Sequence, residues 1–246
     1  MVMNLRLSPE PVLRTYMGQL QEFTSLLLGN LEAYHNSLTY LFHFWSVLAQ
    51  DLARSMGESL REVKEIMEKV VLQLAEQYIR QRLGFAEEFI QSVKDDVLCD
   101  MDSVYWEMKY IGLMLRFKLD LGSKLVADLY DALLREYNVA LSLLFHCRTR
   151  AASPPRCASA AETTRKCSTK PSFWSVSLLP FPSTPGKLAW MIHFITHILA
   201  GQRFSVAQVD QGEEVIDADL CKRVFNLSHS IWYRMNMVPR FHCLGV

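Results

Sequence analysis

The chain has 246 residues, half of them apolar and 21% charged, with 26 basic side chains against 26 acidic. A chain of that length and apolar share buries a sizeable core, which excludes global disorder, and a zero net charge lacks the basic excess of a nucleic-acid binder. Six cysteines without a C-x-x-C pair are too few for a disulfide scaffold and fit a reducing, intracellular compartment.

Met1 to Val12 carries no apolar core of a signal peptide. Ser8 with Pro9 then predicts a helix start, and Leu13, Met17, Leu20 and Leu27 recur at helical spacing until Gly29-Asn30. A second helix restarts at Asn36 or Ser37 with Leu38, Phe42, Trp45 and Leu52 on one face, ends near Gly57, and is expected to pack on the first. Ser59 and Glu62 form an S-x-x-E capping box ahead of Val63, Met67, Val70, Leu74 and Tyr78, while Glu65 with Lys69 and Glu76 with Arg80 mark the wet face. Gly84 reads as an interruption before a short helix holding Phe85, Phe89, Ile90 and Val93. Two further amphipathic helices, Ser103 to Leu119 and Lys124 to Phe145, are expected on either side of Gly122-Ser123, and no strand signal appears. Helix pairs would open near residues 9, 59 and 103.

Residues 147–186 break this pattern: they hold six of the nine prolines, twelve Ser or Thr and a single acid, Glu162. That composition predicts a low-complexity linker or insertion. Residues 187–235 return to a helical hairpin whose first helix, with Leu188, Met191, Ile195 and Ile198, is apolar nearly all round and hence central. The uncharged run from Leu188 to Gln202 is shorter than the roughly 20 residues a bilayer span needs. The domain reading is therefore helical repeats over 1–146, a linker over 147–186, a hairpin over 187–235 and an unstructured tail over 236–246.

Catalytic motifs are missing: there is no G-x-G-x-x-G, P-loop, G-x-S-x-G or H-E-x-x-H. Glu32 and His35 match half of a di-iron E-x-x-H pattern, which needs a second copy on a facing helix. His193 and His197, four apart, offer two of the three or four ligands that zinc requires. Both read as ordinary packed side chains, so neither metal nor cofactor is expected, and a metal-binding helical-bundle enzyme stands only as a rival. Phe42, Phe44, Trp45, Tyr105, Trp106 and Trp190 likewise read as core. Periodicity alone leaves a helical-repeat solenoid and a bundle equally open.

Certain residues tip that balance. Tyr40-Leu41 with Trp45 and Leu48, Tyr78-Ile79 with Arg82-Leu83, Lys187-Leu188-Ala189-Trp190 leading to Gly201, and Asp219 to Phe225 occur in this order. In that order they resemble the exportin-7 and Ran-binding branch of the importin-beta family of nuclear transport receptors, over about residues 15–98 and 187–230. The resemblance implies an all-α, HEAT-type helical-repeat solenoid, interrupted here by the Pro/Ser-rich insertion, and corresponds to an internal piece of a longer receptor. It also implies a non-enzymatic export receptor that binds Ran-GTP, protein cargo and the Phe-Gly repeats of the nuclear pore and shuttles between nucleus and cytoplasm. A cytoplasmic helical-repeat scaffold is the alternative. No nucleic-acid or membrane partner is expected. Asp210, Glu213, Glu214 and Asp217 place four carboxylates between two helices, either as favourable charges at a helix N-terminus or as contacts to a basic partner.

Overall fold

The computed structural model describes residues 10–54, 61–89, 101–151, 184–201 and 211–237. They form seven helices: α1 (Glu10–Leu28), α2 (His35–Arg54), α3 (Arg61–Phe89), α4 (Met101–Arg116), α5 (Leu119–Ala151), α6 (Thr184–Ala200) and α7 (Gln211–Met237). No strand occurs among the described residues. Ser8, Pro9, Ser59, Ile90, Val93 and residues 152–183 and 238–246, on which parts of the sequence reading fall, lie outside them.

The helices assemble as pairs in two rows. One row is α1, α3, α5 and α7, each packed on the next; the other is α2, α4 and α6, again each on the next. Contacts between rows join α1 to α2, α3 to α4 and α5 to α6, and α7 opens a fourth pair. This repetition of antiparallel pairs, in which each unit covers the flank of its neighbour, makes the chain an all-α helical-repeat array and not a closed bundle. Helix α2 does touch α1, yet its principal partner is α4.

Two interruptions fall elsewhere than expected, each for a packing reason. Gly84 lies inside α3, and the helix runs on through Phe85 and Ala86, because Ile79, Leu83 and Ala86 keep the buried stripe in register past the glycine. A single helical glycine costs only about 1 kcal/mol, less than that stripe returns. The break between α4 and α5 falls at Phe117-Lys118 and not at Gly122-Ser123; Phe117 N–H closes on Met114 O at 3.1 Å, and Gly122 N–H already bonds Lys118 O at 2.9 Å. Gly122 is the residue that lets the elbow close, since a Cβ there would collide with Leu115 O. In consequence the third pair opens at Leu119, and Met101–Arg116 is the second helix of the second pair. The N-terminal stop is as read, with Gly29 N–H bonded back to Ser25 O and Leu26 O at 3.3 and 3.2 Å.

One contiguous core follows the array from Leu13 to Leu227. Trp45, fully buried, donates its indole N–H to Thr24 Oγ1 at 3.2 Å, and Phe42 meets Tyr78 edge-on at 5.2 Å. Helix α6 is central as its composition predicted: Leu188, Met191, Phe194, Ile195 and Ile198 are buried, and it packs on α3, α4, α5 and α7. Trp190 is 4% exposed. Each such large apolar side chain contributes about 1.5 to 3 kcal/mol on burial. Helix α4 passes so close to α6 that a Cβ on Gly112 would stand 2.7 Å from His197 O. No described helix is long and apolar enough to cross a membrane.

Candidate protein-interaction site

Glu107 is the polar centre of the array. It occupies a core position of α4, between Val104 and Ile111 in the buried stripe, and its carboxylate is fully closed off from solvent. Tyr78 Oη and Arg82 Nη2 of α3 each donate to Oε2 at 2.6 Å, and His35 Nδ1 of α2 lies 2.6 Å from Oε1. Arg82 Nε donates to Tyr78 Oη at 3.2 Å, and its guanidinium lies over the Tyr78 and Trp190 rings. Burial first, and then the Glu107 charge, push the Tyr78 phenol well above its ordinary value. Among the described residues no buried side-chain polar atom lacks a partner, so this network is closed, as a charge in a core has to be. It ties both rows together, and His35, 29% exposed, is the member of it that reaches solvent.

A second node engages the acidic residues singled out in the sequence. Arg116, 2% exposed, donates from Nη1 to Ile198 O at 2.8 Å and to Asp217 Oδ1 at 3.2 Å, and from Nη2 to Asp217 Oδ2 at 3.3 Å. Glu213 Oε2 stands 3.8 Å from the same guanidinium. Asp217 and Glu213 therefore face inward, locking the start of α7 onto the ends of α4 and α6, while Glu214 is exposed on the outer side of the first turn. Asp210 lies outside the described residues. Further along α7, Arg223 pairs with Asp131 of α5 and, at 2.9 Å, with Asp219.

Between α2, α4 and α6 runs a groove of about 530 Å³. Its lining includes His43 and Gln50 of α2, Tyr105, Lys109 and Tyr110 of α4, and His197 of α6. Five rings stand in series across these helices: His43 to Tyr110 at 4.9 Å, Tyr110 to Trp106 at 6.1 Å, Trp106 to Tyr105 at 5.4 Å and Tyr105 to His197 at 5.3 Å. Lys109 Nζ sits 4.7 Å above the Trp106 ring. Tyr105 and Trp106 are 43% and 48% exposed, so these two are surface residues and not core, unlike Phe42, Trp45 and Trp190. Tyr105 stands at the margin of the buried stripe of Val104, Met108, Ile111 and Leu115, and Trp106 on the opposite side of the helix from it.

The metal rivals find no support in this geometry. Glu32 is exposed, whereas His35 is committed to Glu107. His193 and His197 are each held below the ordinary histidine value by burial, His197 also by His193 and Lys109, and His197 packs on Tyr105. Among the described residues no three His, Cys, Asp or Glu side chains cluster as metal ligands. The Glu107 network is what sequence reading missed; its signal was an acid within the apolar stripe of α4 and a base, Arg82, within that of α3.

Comparison with known proteins identifies a family. The family described as "Exportin-7-like, TPR domain" matches residues 85–238, from the end of α3 through α7. No curated protein and no solved structure matches the chain.

Proposed function

The chain belongs to the exportin-7-like family, and from that premise we propose that it works in nuclear export, binding Ran-GTP and protein cargo and touching the Phe-Gly repeats of the nuclear pore. The two-row array of helix pairs within the matched residues carries this reading, since it is a nuclear-transport-receptor type of helical repeat that presents long surfaces to protein partners. The chain then acts by binding and not by catalysis, and it shuttles between nucleus and cytoplasm. In the same reading residues 1–146 and 187–235 are repeats, joined by a linker over 147–186 and followed by a tail over 236–246, except that α5 extends to Ala151, α6 starts at Thr184 and α7 extends to Met237. Glu214, with Asp210 beside it in sequence, is the acidic contact for a basic partner surface, and Glu213 and Asp217 hold that turn in place through Arg116.

The test is binding of the purified chain to Ran loaded with a non-hydrolysable GTP analogue or with GDP. Nucleotide-selective association is the expected result. Equal affinity for both forms, or none for either, would overturn the proposal.

A further inference from the structure

The geometry points to the ring-lined groove between α2, α4 and α6 as a docking channel for an acidic segment of a protein partner, one with a carboxylate next to an aromatic or branched apolar residue. This rests on reading the chain as a protein-binding repeat and goes further by naming a place and a chemistry.

Charge carries the choice of occupant. Among the described residues, Lys109 is the one permanently charged side chain lining the groove, and no carboxylate lines it. Nor does any carboxylate pair with Lys109 among the described residues; its ammonium rests on the Trp106 face. The other cations of this region are matched: Arg82 by Glu107 and Arg116 by Asp217. An ammonium that no carboxylate meets among the described residues, set beside exposed rings, favours an incoming anion and disfavours a basic segment. The end of α6 forms one edge of the groove, through His197 and Gly201, and its terminal carbonyls would repel that anion. Arg116 donates to one of these carbonyls, Ile198 O, and so takes it out of the exposed set.

The rings supply the apolar half. His43, Tyr110, Tyr105 and His197 line the groove across three successive helices of one row, with Trp106 against Tyr105 and Tyr110 beside it, so an extended chain laid along them meets aromatic surface on each helix, with little side-chain entropy lost by the rings. At about 530 Å³ the groove falls in the range of pockets, roughly 300 to 1,000 Å³, and admits a short stretch of chain and not a folded domain.

The test uses an acetylated, amidated hexapeptide GLEFEG and its uncharged counterpart GLQFQG, titrated into the ¹⁵N-labelled chain. The indole N–H signal of Trp106, identified by its loss in Trp106→Phe, should move with GLEFEG, while those of buried Trp45 and Trp190 stay in place. GLQFQG, or GLEFEG with Lys109→Gln, should bind about fivefold more weakly, the size of effect one partly exposed ion pair can give. Equal affinity for the two peptides, an unaffected Lys109→Gln variant, or no shift of the Trp106 signal would each overturn the assignment. Ran-GTP binding by the same preparation separates the two readings: if it persists without peptide binding, the groove assignment alone falls.

Discussion

Arg82 of α3 and Glu107 of α4 meet at 2.6 Å with side chains only 8% and 0% exposed. A pair so enclosed is costly to form and costlier to break, because removing one charge leaves the other buried without compensation. Glu107→Gln is expected to lower the unfolding free energy by about 3 to 5 kcal/mol, measured by urea denaturation. A loss under about 1 kcal/mol, the level of an exposed pair, would mean that water reaches the network.

Trp190 packs against Phe194, with ring centroids 6.2 Å apart, beneath the Arg82 guanidinium. Trp190→Ala is expected to cost about 3 to 5 kcal/mol and to leave little folded protein, as judged by the melting midpoint and soluble yield. An unchanged midpoint would contradict the central place of α6.

Two glycines should respond in opposite directions. A Cβ at Gly112 would press on His197 O and on His197 Cβ, at 2.7 and 3.2 Å, forcing α4 and α6 apart; Gly112→Ala is expected to destabilise by about 1 to 3 kcal/mol, as overpacking does. A Cβ at Gly84, inside α3, would meet nothing within 4 Å. Gly84→Ala should stabilise by roughly 0.5 to 1 kcal/mol. Thermal unfolding of both variants beside the parent checks this, and a stabilised Gly112→Ala would refute the close approach.

Tyr130 is buried and donates its hydroxyl to Arg223 O at 2.9 Å. Burial, then the neighbouring Asp131, push its ionisation up from 10.0 to about 12, against a smaller lowering by Arg223. An unfolded tyrosine loses its proton near pH 10, so above that pH the unfolded chain holds fewer protons than the folded one, and stability falls as pH rises. The contribution is intact below pH 10 and is lost between pH 10 and about 12. Tyr78, raised by burial and by Glu107, acts in the same direction. Tyr130→Phe should lose less stability than the parent across this interval; parallel losses would show that Tyr130 does not contribute.

Much of this fold was legible because each helix buries one stripe whose spacing is local information: Leu38, Phe42, Trp45 and Leu52 of α2, or Leu188 to Ile198 of α6, announce themselves. The glycines misled because their effect depends on what stands opposite. Gly84 faces open space and is tolerated in a helix, whereas Gly122 faces Leu115 and permits an elbow four residues from where a break was expected. The groove was hidden for a related reason. Tyr105 stands at the margin of a stripe of true core residues, and only the placing of α2 and α6 on either side of α4 decides that it meets solvent. Likewise the acids at 213 and 217 were visible as a cluster, but their commitment to Arg116, about one hundred residues earlier, is tertiary information.

Helix α6 occupies the middle of the array yet enters it only after residues 152–183 have gone by. Its bonds reach far back along the chain: Arg116 to Ile198 spans 82 residues, and the neighbouring Tyr130-to-Arg223 bond spans 93. Helical arrays ordinarily assemble by zippering from one neighbour to the next, which keeps contact order low and folding fast. Here α1 through α5 are built from neighbours in that way, while the slot beside α4 waits for a helix that must be brought back across the intervening stretch of chain, at an entropic cost that grows with the logarithm of its length. Refolding is therefore expected to show two kinetic phases when followed by stopped-flow fluorescence, and the nascent chain is expected to leave the flanks of α3, α4 and α5 bare until its last third emerges.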